Sequence, residues 1–227
     1  MPLYFIYAKI VRGDFMHSVI FDMDGTLLDT QRICIPAWEY AGRLQNVTGM
    51  GGCIEKVCGM NEVGWTAHII DNYPTINVPK FKEDYRGYIK QNGTIKFMPG
   101  AEELMQFLKE KGIKVALASG TRKATVLSHL KKLNCEDYFD AIVGGDEIKN
   151  GKPAPDIFLK AAALIGAKPE ECIVFEDSAN GIRSAVNAGM KCIGIPDVAK
   201  FTEEIKGLLF AELNNLSEAT EVLNKYL

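Results

Sequence analysis

Four groups of polar residues follow short apolar segments of this chain. The groups and the segments that precede them are Asp22 and Asp24 after residues 18–21, Ser119 and Gly120 after residues 115–118, Lys152 downstream of residues 141–143, and Glu176 and Asp177 after residues 173–175. If the segments are parallel strands of one open sheet, their carboxyl ends lie at the edge where such sheets bind ligands. Carboxylates, a hydroxyl and an ammonium brought together there are suited to Mg²⁺-assisted chemistry on a phosphate.

Asp22 and Asp24 are the candidate catalytic residues. A carboxylate that attacks phosphorus forms an aspartyl-phosphate and replaces one difficult displacement by two easier ones, and we predict this role for Asp22. Asp24 can then act as an acid toward the leaving alcohol and as a base toward water. Asp-x-Asp-Gly alone would as readily mark a surface turn, since Asp and Gly are favoured in turns. The other three groups, in this order along the chain, favour the catalytic interpretation.

Glu176 and Asp177 are predicted to complete, together with Asp22, an oxygen site for Mg²⁺. They also stand directly before a predicted helix, and helix capping is compatible with metal binding if Ser178 caps and Asp177 binds the ion. Two like charges about 4 Å apart repel by roughly 4 kcal/mol at an effective dielectric constant of about 20. A cluster of carboxylates this dense protonates unless a cation balances it, so we expect the metal-free protein to be inactive.

Ser119, Gly120 and Lys152 are the candidate phosphate-binding residues. Lys152 can supply a fixed positive charge for the phosphoryl oxygens. The hydroxyl of Ser119 and the backbone N–H groups of Gly120 and Thr121 can hold a phosphate at the start of the next helix. A single lysine is usually a solvated side chain and Ser-Gly-Thr is a weak signal alone, so position along the chain carries this interpretation. The three histidines have no evident acidic or nucleophilic partner in the sequence, and no catalytic role is predicted for them.

The chain from residue 98 onward alternates short apolar segments with helical patterns. Strands that alternate with helices in this way form parallel βαβ units. The strands are apolar almost throughout, which is typical of a sheet covered by helices on both faces. The predicted strands include residues 114–118 and 191–195, and the predicted helices include residues 122–133, 153–165 and 178–188. From residue 201 on, the sequence predicts helices that contain no candidate catalytic or binding residues.

Residues 31–97 differ from the rest, because they contain no convincing strand. Their helical pieces are residues 35–45, 62–72 and 80–91. We predict an all-helical cap domain of residues 31–97, inserted into a core domain of residues 16–30 plus 98–227. The chain passes between the two domains at two adjacent points, which would form a hinge. The cap would then cover the site as a lid. Residues 1–15 are predicted to be an N-terminal extension that activity does not need, with Met16 as a candidate natural start.

Composition limits the function classes. The chain has 227 residues, of which 47% are hydrophobic and 24% charged, and a net charge of −3, which is ordinary for a soluble globular protein and argues against nucleic acid as a partner. No apolar run approaches the roughly 20 residues of a membrane span. The six cysteines show no CxxC or zinc spacing, which favours a reduced, cytoplasmic setting. We expect a monomer that acts on a small phosphorylated metabolite, without nucleic acid or membrane partners.

The motifs resemble those of the haloacid dehalogenase superfamily in identity, order and spacing. The matching residues are DMDGT at 22–26, Ser119, Lys152 with the following PAPD, and EDS at 176–178 with Gly181. The resemblance covers about residues 18–196. It implies an α/β fold in which a Rossmann-like parallel sheet forms the core and an all-helical cap is inserted after the first motif.

The resemblance also implies a role for each motif. Asp22 would be the nucleophile and Asp24 the general acid and base. Ser119 and Lys152 would hold the phosphate. Mg²⁺ would be bound by Asp22, Asp177 and the backbone carbonyl of Asp24, with Glu176 as a weaker candidate. A dehalogenase lacks the second acid that Asp24 provides, so the resemblance points away from dehalogenation.

Within the superfamily, the chain resembles the β-phosphoglucomutase and sugar-phosphatase group, notably in the Ala37-Trp38 pair and in residues 152–159. Three positions depart from the mutase: Glu62 stands where its cap has an arginine for the sugar phosphate, Cys34 where it has a histidine, and Thr26 where it often has a valine. A mutase must hold a second phosphate, which a carboxylate at position 62 would repel. The departures therefore favour a phosphatase.

The favoured function is a Mg²⁺-dependent phosphatase of a small phosphorylated metabolite, such as a sugar or polyol phosphate. One alternative is a phosphomutase of the β-phosphoglucomutase type, which returns the phosphoryl group to the sugar. The other is a non-catalytic binding module with this fold. The sequence argues against this alternative, because every predicted catalytic position holds a residue that can perform its role. Substrate specificity is predicted to lie in the cap, at Asn61, Glu62 and Trp65.

Overall fold

A parallel β-sheet forms the centre of the computed structural model, which describes residues 17–226. Its strands are β1 Ser18–Phe21, β2 Lys114–Ser119, β3 Ala141–Gly144, β4 Cys172–Glu176, β5 Lys191–Gly194 and β6 Ala211–Glu212. Their order across the sheet is β3-β2-β1-β4-β5-β6, and every neighbouring pair is parallel. The chain order reverses between β1 and β4, which is where open parallel sheets place their ligand sites.

Helices cover both faces of the sheet and form the segment between β1 and β2. They are α1 Cys34–Arg43, α2 Ile54–Val57, α3 Glu62–Asn72, α4 Val78–Asn92, α5 Ala101–Glu110, α6 Lys123–Lys132, α7 Asp156–Ile165, α8 Ala179–Asn187, α9 Glu203–Lys206 and α10 Ala219–Leu223. The α/β fold with a Rossmann-like parallel sheet is therefore confirmed. Within residues 17–226, no helix is both long and apolar enough to cross a membrane.

The central strands are buried on both faces, which explains their nearly continuous apolar sequence. In β1, Val19 and Phe21 point into one hydrophobic cluster, and Ile20 points into the cluster on the opposite face. The rings of Phe21 and Phe175 stack with centroids 5.2 Å apart, which fixes β1 against β4 directly beneath the polar ends of both strands. The loops that follow β1 and β4 thus begin at strand ends that this packing holds in place.

Two predicted elements differ from the structure. The helix predicted to begin at residue 153 begins at Asp156, because Ala154 precedes Pro155 and a residue before proline disfavours the helical conformation. Beyond residue 201 the chain adds β6 as well as helices, where only helices had been predicted. This strand is two residues long, too short for a periodic signal, and backbone bonds from Phe210 to Cys192 and from Leu213 to Gly194 attach it to the sheet edge.

Residues 31–97 fold into four helices, α1 to α4, and one short 3₁₀ helix, and they contain no strand of the sheet. They have a hydrophobic cluster of their own, in which Trp38 meets Phe81 with ring centroids 5.2 Å apart. The two chain segments that connect these helices to the rest of the molecule lie side by side, and the backbone N–H of Asp29 in one donates to the carbonyl of Lys96 in the other at 3.0 Å. The domain bounds stay a prediction, and residues 1–15 lie outside the described residues.

Candidate active site

The ends of β1, β2 and β4 bring the predicted polar groups together, because these strands are neighbours in the sheet. Asp22 follows β1, and Glu176 is the last residue of β4. Lys152 lies in the loop between β3 and α7, where it is 4% exposed. Its Nζ lies 2.6 Å from Oδ1 of Asp22 and 2.5 Å from Oε1 of Glu176. Groups as distant in sequence as Asp22 and Lys152 therefore form one buried ion-pair network.

Glu176 uses both of its carboxylate oxygens within the protein. Oε1 faces Lys152, and Oε2 accepts hydrogen bonds from the backbone N–H and the hydroxyl of Ser178 at 2.7 and 2.9 Å. The same Ser178 hydroxyl accepts from the N–H of Gly181 and so caps α8. Glu176 thus organises the loop and fixes Lys152, and it is a weaker candidate for metal binding than its neighbour Asp177.

The carboxylates of Asp22, Glu176 and Asp177 form a buried cluster that fits a divalent cation. One oxygen from each lies within 4.8 Å of the others. Burial raises the pKa of Asp22 to about 8 and raises the pKa of Asp177 well above its usual range, although the charge of Lys152 opposes both shifts. Ionised carboxylates at such positions need more positive charge than Lys152 alone supplies, and an all-oxygen donor set suits Mg²⁺.

We expect the metal-free protein to lose stability as the pH rises. Asp22 has its ordinary pKa of 3.8 when unfolded and about 8 when folded, so the folded state binds more protons between these values. The stability that this proton contributes is complete below pH 3.8 and is lost as the pH rises through about 8. Urea unfolding with chelator across this range measures it.

Mg²⁺ is expected to remove this loss, because the ion binds the ionised carboxylates and stabilises the folded state at high pH. Asp22→Asn, which cannot ionise at this position, should show a smaller decline with chelator. A metal-free wild-type protein whose free energy of unfolding stays constant or rises between pH 5 and pH 8 would contradict the assignment of these raised pKa values.

Three hydroxyl groups hold the carboxylate of Asp24. Oδ1 accepts from Thr30 at 2.6 Å, and Oδ2 accepts from Ser119 at 2.9 Å and from Thr121 at 2.8 Å. The Ser119 hydroxyl also accepts from the backbone N–H of Thr121 at 3.0 Å. Ser119 is fully buried and is engaged in positioning Asp24, so phosphate binding by its hydroxyl stays a prediction.

A cavity of about 470 Å³ lies between the site and the helical segment. Asp22, Asp24 and Gly120 line its core side, and Glu62 and Trp65 line its helical side. The roles predicted for these residues stay predictions. The other predicted core residues are not among those that line the cavity: Ser119, Lys152, Glu176 and Asp177.

Asn61 is placed differently from the other predicted specificity residues. Its side chain accepts from the backbone N–H of Gly64 at 3.0 Å, which caps the start of α3. It also lies so close to Gly151 that a Cβ there would come within 2.7 Å of the Asn61 side chain. Asn61 therefore caps a helix and contacts the core, and it is not among the cavity-lining residues.

Cations surround the carboxylate of Glu62. Its oxygens lie 2.9 Å from Lys82, 3.1 Å from Arg86 and 3.7 Å from Arg122. Partial burial raises the pKa of Glu62, but the hydrogen bond from Lys82 and the charges of these cations outweigh it and leave the pKa below its usual value. The interpretation of Glu62 as an unbalanced negative charge that repels a second phosphate is therefore wrong.

Several cavity-lining residues were missed from sequence. They are Gln31, Tyr85, Arg86 and Lys90 on the helical side, and Arg122, Thr125, His129 and Lys132 on the core side. The last four follow one another at spacings of three, four and three, which puts them on one face of α6 or at its start. That spacing could have identified a polar face, including His129, but not the direction in which it points.

Comparison with known proteins gives a consistent result. The profile of the haloacid dehalogenase-like hydrolases matches residues 16–189. The chain is 31% identical to a phosphorylated carbohydrates phosphatase of Thermotoga maritima over 92% of this chain and 97% of that protein. It is 30% identical to the β-phosphoglucomutase of Bacillus subtilis over 79% of this chain and 83% of that protein.

A solved structure of a hydrolase from Pseudomonas syringae has a TM-score of 0.81 and 25% identity, and the match covers 92% of this chain and 99% of that one. The chain belongs to the haloacid dehalogenase-like hydrolases.

Proposed function

We propose that this protein is a Mg²⁺-dependent phosphatase that hydrolyses a small phosphorylated metabolite through an aspartyl-phosphate on Asp22. The observation that carries the proposal is the pairing of buried Asp22 with Lys152 at 2.6 Å, at the floor of a cavity that Asp24 also lines. Lys152 holds a carboxylate oxygen of Asp22 in place, and the three hydroxyls around Asp24 hold the second carboxyl two residues away.

In the first step, a carboxylate oxygen of Asp22 bonds to phosphorus while the bond from phosphorus to the substrate alkoxide breaks. Asp24 gives its proton to the leaving oxygen, which departs as an alcohol. In the second step, Asp24 takes a proton from water as the water oxygen bonds to phosphorus. The acyl-phosphate bond breaks, which regenerates the Asp22 carboxylate and releases inorganic phosphate.

The metal would be held by Asp22, Asp177 and the backbone carbonyl of Asp24, with Glu176 a weaker candidate. When bound, Mg²⁺ neutralises charge on the phosphoryl oxygens and on the clustered carboxylates. Lys152 contributes a fixed positive charge in the same buried region, which stabilises the charge that develops on those oxygens.

Sugar and polyol phosphates are the proposed substrates. The Thermotoga maritima relative is named as a phosphatase of phosphorylated carbohydrates and spans nearly the same length as this chain. Trp65 and Tyr85 give the cavity apolar surface, and Arg86 and Lys90 give it positive charge. Both features suit a sugar, whose ring has apolar faces and whose phosphate is anionic.

Phosphate release from a panel of phosphorylated sugars, polyols and nucleotides, measured with Mg²⁺ and with chelator, tests the proposal. We expect metal-dependent release from sugar or polyol phosphates. Release only from nucleotides would contradict the substrate class, and equal release with chelator would contradict the metal requirement.

A phosphomutase is the second candidate, and the cations around Glu62 favour it. Arg86 on the helical side of the cavity and Arg122 on its core side both contact the carboxylate of Glu62, and a second phosphate would need positive charge of this kind. Incubation with β-glucose 1-phosphate and a bisphosphate primer separates the two functions. Formation of glucose 6-phosphate faster than release of inorganic phosphate would establish the mutase and overturn the phosphatase.

A further inference from the structure

Gln31 lies between the site and the inserted helices, and it is 7% exposed. Its Nε2 lies 2.5 Å from the backbone carbonyl of Asp24 and 2.8 Å from Oδ2 of Asp177. The backbone carbonyl of Asp24 can only accept hydrogen bonds, so the NH₂ side of the amide must face these two oxygens. These are two of the groups that the proposed function assigns to the metal.

The other end of the same amide contacts the inserted segment. Oε1 of Gln31 accepts from the thiol of Cys58 at 3.0 Å. Cys58 belongs to the loop between α2 and α3, and its backbone carbonyl accepts from Nδ2 of Asn180 in α8 at 3.1 Å. This loop lies directly on the core, because a Cβ at Gly59 would come within 2.3 Å of the Ser178 hydroxyl.

We propose that Gln31 is a positioning residue that couples the docking of the Cys58 loop to the metal-binding oxygens of Asp24 and Asp177. The inference rests on the proposed function for the identity of those oxygens. When the loop lies on the core, Cys58 fixes the amide, and the amide fixes the Asp177 carboxylate and the Asp24 carbonyl in one arrangement. When the loop lifts, the amide loses its outer contact and the oxygens lose their orientation.

The close packing around Gly25 supports this role. A Cβ at that position would come within 2.5 Å of Oδ2 of Asp177 and 2.6 Å of Nε2 of Gln31. The amide is therefore packed against the turn that carries Asp24. Partners of this kind, which hold metal ligands in place from outside, change metal affinity by about 10- to 100-fold when they are removed.

The test is the binding of Mg²⁺ to the full chain without substrate, measured by isothermal titration calorimetry. Gln31→Met keeps the length of the side chain and removes its hydrogen bonds, so we expect Mg²⁺ to bind about 10- to 100-fold more weakly. Gln45→Met is the matched control, because the side chain of Gln45 bonds to the backbone of Asn77 within the inserted segment, away from the site. It should bind Mg²⁺ as the wild-type protein does.

The link to the loop is tested at Cys58. Cys58→Ala should weaken Mg²⁺ binding, whereas Cys58→Ser, which keeps a donor, should weaken it less. In the double variant Gln31→Met/Cys58→Ala, the loss should be no larger than in Gln31→Met alone, because Cys58 acts through Gln31. Thermal unfolding of each variant checks that it is folded.

Unchanged or stronger Mg²⁺ binding in folded Gln31→Met would overturn this inference and leave the phosphatase standing, provided that the wild-type protein releases phosphate with Mg²⁺. Additive losses in the double variant would also overturn it, since Cys58 would then act by another route. A wild-type protein that binds no Mg²⁺ would overturn both the inference and the metal requirement of the proposed function.

Discussion

Asp22→Asn is expected to reduce phosphate release by about 10⁴-fold or more, because the amide cannot form the acyl-phosphate that divides the reaction into two steps. The substitution keeps the size of the side chain and an oxygen that can face Lys152, so the fold should persist. Steady-state phosphate release with Mg²⁺ and a substrate from the panel measures the loss, and thermal unfolding confirms the fold.

Asp137→Asn is the matched control for this variant. Asp137 is exposed and lies in a short 3₁₀ helix after α6, so the same change there should leave phosphate release unaltered. If Asp22→Asn kept more than about a tenth of the wild-type rate while folded, Asp22 would not be the nucleophile. An inactive wild-type protein, by contrast, would favour a binding module.

Lys152→Met should lower the free energy of unfolding by about 3–5 kcal/mol, because it leaves Asp22 and Glu176 as buried carboxylates without their cation. The loss should be smaller at pH 5 than at pH 8, since burial raises the pKa of Asp22 to about 8 and its protonation at pH 5 relieves the repulsion between the two groups. Phosphate release should fall by about 10²- to 10³-fold, as expected when one group that stabilises developing charge is removed. Urea unfolding at the two pH values and steady-state rates measure these effects.

Lys80→Met is the control for the loss of a lysine that contacts two carboxylates. Lys80 lies 3.1 Å from Glu83 and 2.9 Å from Asp84, but its side chain is 53% exposed, so water already screens these pairs. We expect little change in stability or rate. Equal stability losses in the two lysine variants would contradict the view that burial gives the Lys152 network its importance.

The meeting of the four polar groups could be predicted because each follows an apolar strand, and parallel strands present their carboxyl ends at one edge. Asp22, Lys152 and Glu176 accordingly lie in direct contact. Gln31 could not be predicted, since nothing local in the sequence shows that its amide reaches Asp177, 146 residues away. Its role depends on how the inserted helices sit on the core.

The interpretation of Glu62 failed for a similar reason. The sequence shows one carboxylate at a position where a related enzyme has an arginine. The three cations that contact this carboxylate, Lys82, Arg86 and Arg122, lie elsewhere in the sequence. The charge around Glu62 therefore depends on residues from other helices, and it cannot be inferred from the residues next to Glu62 in the sequence. The choice between phosphatase and phosphomutase rests on the relatives and on experiment, not on this residue.

Helix bounds were predictable where local signals mark them. The bounds of α3 agree with the predicted residues 62–72, because Asn61 caps its start and Pro74 follows its end. The edge strand β6 was not predictable, because only its backbone bonds to β5 define it. Long periodic elements are thus recognisable from sequence, and short elements that depend on a partner are not.

Detection of a phosphoryl group on Asp22 tests the account most directly. Asp24→Asn lacks both the acid for the leaving group and the base for water. With Mg²⁺ and a phosphate ester of an acidic alcohol, whose departure needs no proton, the acyl-phosphate should therefore form and persist long enough to be trapped by acid quenching. We predict a phosphorylated peptide that contains Asp22 in the mass spectrum of the digested protein. Phosphate turnover by the wild-type protein, with no phosphoryl group on Asp22 in either protein at any quench time, would contradict it.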